Sequence, residues 1–237
     1  MKMTDKTSKI LFFIGIILLG IGAFGLTFAA FFAIIGLPVF VIGIILIFVA
    51  KKTWKQKLIP IGLFIVGIII FWPIWTKINS VGPETYLISE NYRGKINIIY
   101  GEYCGKELIE ENSRLIYEIP DDGILIVNKE LKYGIINHEY YLVDENGTRT
   151  KLQMMDVRNF NEEYTIEKNP NEPSRSKLGI FGNSTGGSSN SQDENDGFEF
   201  QEFYVSTYSD LKEKYEFKYN RKFDSIRKAK LGNCRTE

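Results

Sequence analysis

Residues 10–50 read ILFFIGIILLGIGAFGLTFAAFFAIIGLPVFVIGIILIFVA, 41 residues without one Asp, Glu, Lys, Arg or His. A single helix of that length would run to ~60 Å, twice the ~30 Å hydrocarbon core of a bilayer. The stretch therefore folds back on itself, and residues 10–29 and 32–50 each match one crossing. The turn between them is hard to place, because no strong breaker precedes Gly36 and Pro38. A third span is expected over residues 58–75, with Pro60 in its first turn, Trp72 and Trp75 at the far membrane interface and Pro73 at its exit.

The flanks of these spans are asymmetric in charge. Lys2, Lys6 and Lys9 precede the first, against the single acid Asp5, and Lys51, Lys52, Lys55 and Lys57 separate the second from the third. Short basic segments stay in the cytoplasm. Residues 1–9 then form a cytoplasmic tail, and everything after Lys77 lies outside. A cleaved signal peptide is disfavoured by the length of the apolar run. No ionisable residue lies inside any span, which argues against a pump or transporter and for an anchor in the lipid bilayer. Gly15 and Gly22, like Gly36 and Gly43, are seven apart and fall on one helix face, a pattern that allows close packing but is also common in membrane helices.

Beyond a linker at residues 78–83 the composition changes. The chain carries 29 basic and 29 acidic residues, so net charge is zero, and no nucleic-acid partner is expected. Residues 84–237 read as a β-rich extracytoplasmic domain, mainly antiparallel, a small sandwich or barrel. Strand signals occur at Tyr86-Leu87-Ile88, Lys95–Tyr100, Arg114–Ile119, Ile124–Asn128, Glu139–Asp144, Thr148–Gln153 and Phe198–Val205. Pro120-Asp121-Asp122-Gly123 reads as a turn, and Glu145-Asn146-Gly147 as the tip of a hairpin. Residues 182–197, rich in Gly, Ser and Asn, read as a flexible loop. A terminal helix is expected over residues 210–230, started by Ser209-Asp210 and striped with Leu211, Tyr215, Tyr219, Phe223 and Ile226. Its basic face could meet lipid headgroups, but docking of the apolar stripe on its own domain is favoured.

The search for chemistry identifies no catalytic, cofactor or metal residues. His138, in Asn137-His138-Glu139, could act as a base beside a carboxylate but has no obvious nucleophile and reads better as a strand-edge residue. Ser184-Thr185-Gly186-Gly187-Ser188 lacks the lysine of a phosphate loop, and Asp193-Glu194-Asn195-Asp196 lacks the spacing of a calcium loop. Cys104 and Cys234 are the only cysteines. Both fall on the exterior side, where a disulfide is possible and two unpaired thiols are the alternative.

Several stretches resemble a bacterial family of domains of unknown function: YLISENYRGKI at residues 86–96, YEIPDDGIL at residues 117–125, and the hairpin Tyr140–Leu152. The resemblance covers residues 84–234 and implies a small β-rich extracytoplasmic domain with no assigned activity. The sequence departs from the family pattern at Ile88-Ser89, where the family has Ile-Pro. The combined expectation is a membrane-anchored, non-enzymatic interaction module of the bacterial envelope, in the cytoplasmic membrane, with an envelope protein as a possible partner. The alternatives are an accessory subunit of a larger membrane complex and an envelope enzyme whose site is not visible in sequence.

Overall fold

The computed structural model describes residues 4–27, 30–190, 193–215 and 221–236. The chain divides into two compact units, Met1–Ser80 and Val81–Glu237. The first holds helices α1 (Asp5–Thr27), α2 (Ala30–Val49) and α3 (Trp54–Ile78), all long and apolar enough to cross a membrane. The turn between α1 and α2 lies outside the described residues.

α1 and α2 pack through bare backbone. A Cβ on Gly22 would stand 2.5 Å from the Phe40 nitrogen, one on Gly43 2.7 Å from the Leu19 nitrogen, and one on Gly36 2.9 Å from the Gly25 carbonyl carbon. With Gly15 against Gly43 and Ile47, these glycines let the helices approach at a distance no larger residue allows. The α3 boundaries differ from the sequence reading. Thr53 accepts from the Gln56 N–H while Gln56 accepts from the Thr53 N–H, a capping box that starts the helix at Trp54. Pro60 therefore sits in the second turn. Pro73 lies inside the helix, which continues to Ile78 before Asn79 caps it. Only Ile61 of α3 is buried within this unit.

The second unit is a sandwich of two open sheets, so the barrel alternative is set aside. One has the order β3-β4-β1-β6-β7: β3 (Ile109–Glu111), β4 (Arg114–Glu118), β1 (Glu84–Ser89), β6 (His138–Val143) and β7 (Arg149–Leu152). The other has the order β5-β2-β9-β8: β5 (Ile124–Ile126), β2 (Gly94–Tyr100), β9 (Asp193–Ser206) and β8 (Gly179–Asn190). Both sheets are mixed. β1 runs parallel to β4 and β6, and β2 runs parallel to β5, while the remaining pairs are antiparallel. Between them lies a core that includes Tyr86, Ile88, Tyr117, Tyr140 and Leu142 from the first sheet, and Ile96, Ile98, Tyr100 and Phe203 from the second.

The two turn readings hold. Gly147, at φ +81°, tips the β6–β7 hairpin while Asp144 Oδ1 accepts from the Asn146 and Thr148 amides at 2.9 and 2.7 Å. Gly123 donates to the Pro120 carbonyl at 2.8 Å and switches the chain from one sheet to the other. Its φ of +74° and a would-be Cβ 2.6 Å from the Lys95 oxygen leave no room for another residue.

Two readings are corrected. Residues 182–190 and 193–197, expected as flexible loop, are strand: they form the outer part of β8 and the start of β9. Gly and Ser tolerate a strand when a partner supplies the backbone ladder, which composition does not reveal. Helix begins near the expected start, where α4 (Tyr208–Asp210), capped by Thr207, runs into a π-helical turn at Leu211–Tyr215, and α5 (Arg221–Thr236) reaches past residue 230. The single stripe is split. Leu211 packs with Phe160, Phe181 and Tyr208, whereas Phe223, Leu231 and Cys234 of α5 cover Ile99, Ile124 and Ile126 on the outer face of the second sheet. Ile226 is exposed, and Tyr219 and the side chain of Tyr215 lie outside the described residues.

Candidate functional site

The parallel register of β4, β1 and β6 sets the site. Tyr86 is paired with Tyr117 on one side and Tyr140 on the other. Their rings stack as a ladder, with centroids 4.8 and 4.9 Å apart. Alternation places Glu84 two residues before Tyr86 on the same inward face, opposite His138. An acidic side chain is thus carried into the interior, where Glu84 is only 3% exposed.

Its carboxylate is surrounded by donors. Oε1 accepts from the Tyr117 hydroxyl and the Lys129 ammonium, each at 2.9 Å, and Oε2 accepts from the Tyr86 hydroxyl at 2.7 Å. His138 Nε2 stands 3.0 Å from Oε2. That is within ion-pair range, although Nε2 makes no hydrogen bond of good geometry there. Burial would raise the Glu84 pKa, yet His138, Lys129 and Tyr86 outweigh it and hold the group at about 2. Burial in turn pushes the hydroxyls of Tyr86, Tyr100, Tyr117 and Tyr140 upward, so all four remain protonated donors.

The facing sheet contributes Gln201, which is 1% exposed. Its Oε1 is 2.9 Å from both the Tyr100 and the Tyr86 hydroxyls. Tyr86 has one proton for two acceptors, and the charged Glu84 is the stronger of them. The Gln201 Nε2 donates to Asn183 Oδ1 at 2.8 Å. Asn183 reaches it because the β8–β9 register shifts between Phe181 and Ser184, next to Gly182 at φ +61°. The bulge reverses the alternation. Phe181 points to the outer cluster, while Asn183 and Thr185, the latter paired with Gln201, share the inward side.

Above these groups opens a cavity of about 180 Å³ at one end of the sandwich, with the loop between β5 and β6 as its rim. His138, Gln201 and Tyr100 form its floor, Asn183 and Thr185 one wall, and Tyr133 stands at the mouth, its hydroxyl donating to Glu199 at 3.0 Å. Among the described residues, no group of three or more His, Cys, Asp or Glu could hold a metal ion.

His138 does meet a carboxylate, but it is Glu84, not its sequence neighbour Glu139, which pairs with Lys151 and Arg114 instead. Sequence reasoning passed over Glu84. The available signal was its parity with Tyr86 and Ile88, an acid at a buried position of an alternating strand. Away from the cavity, Cys104 and Cys234 are joined, with Cα atoms 5.5 Å apart. The link fastens the end of α5 to the segment after β2, where Arg235 also grips Glu102 at 2.9 Å and Lys230 grips Asp122 at 2.7 Å.

A crystal structure of a candidate lipoprotein from Bacillus anthracis superimposes with a TM-score of 0.43 and 20% sequence identity, over 65% of this chain and 94% of that one. No curated protein matches the chain. A family described as a family of unknown function (DUF6843) matches residues 80–215, more than half the chain. Since that match runs from the start of the β unit to a point just ahead of α5, the chain belongs to the family of unknown function DUF6843.

Proposed function

We propose that the protein is a membrane-anchored, non-enzymatic binding module of the bacterial envelope. In this reading α1–α3 are the anchor, the β domain stands outside the cytoplasm, and the cavity above His138 and Gln201 is the ligand site. The cavity is the observation that carries it. Its floor is built from polar groups held by one another, and the His138 ring nitrogens contact Glu84, Tyr140 and Gln201 rather than a serine, threonine or cysteine nucleophile. The lysines at both cytoplasmic flanks support the orientation. The Cys104–Cys234 pair supports it too, since such a link persists outside the reducing cytosol. A reporter active only in the cytoplasm, fused after Glu237, is expected to stay silent, and a signal from it overturns the orientation. Thiol labelling of denatured, unreduced protein from the native membrane should find no free cysteine; two per chain would remove the disulfide.

A second reading, an accessory subunit of a larger membrane complex, is favoured by α3, which leaves nearly all of its apolar surface uncovered within its own unit. A partner that co-purifies with the full chain in detergent, but not with residues 81–237, would select it.

A further inference from the structure

Resting on the cavity as the ligand site, we propose that its ligand is a neutral, hydroxyl-rich molecule the size of one sugar ring. Charge narrows the class first. The Glu84 carboxylate beneath the cavity is paired with the Lys129 ammonium, and three hydrogen bonds together with the His138 contact occupy both of its oxygens, so it offers a cation no free site. Lys132 also lines the cavity, and beside it most of the polar groups on offer are neutral. Gln201 and Asn183 are amides that both donate and accept, and Thr185 and Tyr100 are hydroxyls that do the same. A sugar hydroxyl is likewise donor and acceptor at once, so a ring bearing several of them matches this set where an aliphatic or aromatic ligand would strand it.

The bulge at Gly182–Asn183 is a second, independent observation. A regular strand would turn Asn183 to the outer face, and the irregularity brings it inward beside Gln201. Bulges of this kind re-aim a side chain toward a site. The Asn183 oxygen is taken by Gln201, and among the described residues its amide N–H groups have no partner. Size is the third. A volume of about 180 Å³ holds about six waters at ~30 Å³ each, which suits one pyranose ring and not an oligosaccharide chain. Tyr133 is 64% exposed and anchored by Glu199, placing a flat apolar face at the mouth, where the C–H face of a ring can rest.

The test is isothermal titration of the full chain in nanodiscs, which avoids sugar-headed detergents, with glucose, N-acetylglucosamine and acetate as probes. Saturable binding of at least one of the two sugars is expected, weakened about five- to tenfold in Thr185→Val and in Asn183→Ala through loss of a hydrogen bond each. Thr185 is exposed, so its variant tests the cavity without disturbing the core. Acetate binding without sugar binding overturns the ligand class and leaves the cavity as a site. Binding of no probe, or sugar binding unchanged in both variants, overturns the cavity reading as well.

Discussion

At Gly15, Gly22, Gly36 and Gly43 two helices meet through bare backbone, whereas at Glu84 side chains from three strands and a loop converge on one carboxylate. On the proposed anchoring, the difference follows from what surrounds each unit. Lipid tails are as apolar as the helices, so burying Leu or Ile between α1 and α2 brings little, and specificity comes from how closely the backbones can approach. In the water-exposed domain, apolar burial drives folding, and a buried charge is tolerable only when every oxygen is met. One seam is specified by what is missing, the other by what is paired.

The largest effect should come from Glu84→Ala, which takes the carboxylate away from Lys129, Tyr86 and Tyr117 and removes the contact with His138. Loss of one partner from a buried charge cluster costs about 3–5 kcal/mol. Near-ultraviolet circular dichroism during denaturant unfolding follows it, because the stacked Tyr86, Tyr117 and Tyr140 rings contribute to that signal. The wild-type protein carries the same information in its pH dependence. The Glu84 pKa falls from 4.5 to about 2 on folding, so its contribution is complete above pH 4.5 and lost as pH drops toward 2. That amounts to about 3 kcal/mol in a group this buried. A domain equally stable at pH 2.5 and pH 6 would show that the cluster does not specify the core.

Removing the covalent link comes next. Cys104→Ser with Cys234→Ser opens a loop spanning 130 positions, and loss of a native disulfide costs about 2–5 kcal/mol. Because α5 reaches the sandwich through Phe223, Leu231 and the Arg235–Glu102 pair, amides of α5 should exchange faster before those of β2 do. Simultaneous loss of both would mean that α5 and the sandwich form one cooperative unit.

For the membrane seam the informative change adds atoms. Gly22→Val places a branched side chain against the Phe40 backbone and should cost about 1–3 kcal/mol, read as faster hydrogen exchange in α1 and α2 with the β domain unaffected. The same substitution at Gly62, where nothing lies within 4 Å, should leave the unit intact. If the two behave alike, close approach is not what holds α1 to α2.

The smallest effect tests an exception. Asn97, in the middle of β2, is buried, and among the described residues neither its Oδ1 nor its Nδ2 has a hydrogen-bond partner. Asn97→Val should therefore stabilise the domain by about 1 kcal/mol. A loss of stability instead would reveal that a water or ligand satisfies it.

Reading the chain alone determines whatever depends on neighbours in sequence. The apolar runs mark three helices long enough to cross a membrane, lysine asymmetry sets an orientation to test, and Asn146-Gly147 and Pro120–Gly123 place two turns within a residue. The Thr53–Gln56 capping box was equally local and could have placed the start of α3 at Trp54 rather than Leu58. What only the tertiary structure decided depends on residues far apart. Parallel pairing brings His138 beside Glu84 across 54 positions, and no local pattern encodes which strands lie adjacent. The glycine-rich stretch at residues 182–190 becomes a strand because β9 offers it a ladder, and its bulge turns Asn183 toward Gln201. A strand's partner and its register are set by the packing of the whole sandwich, and the site is made of those two choices.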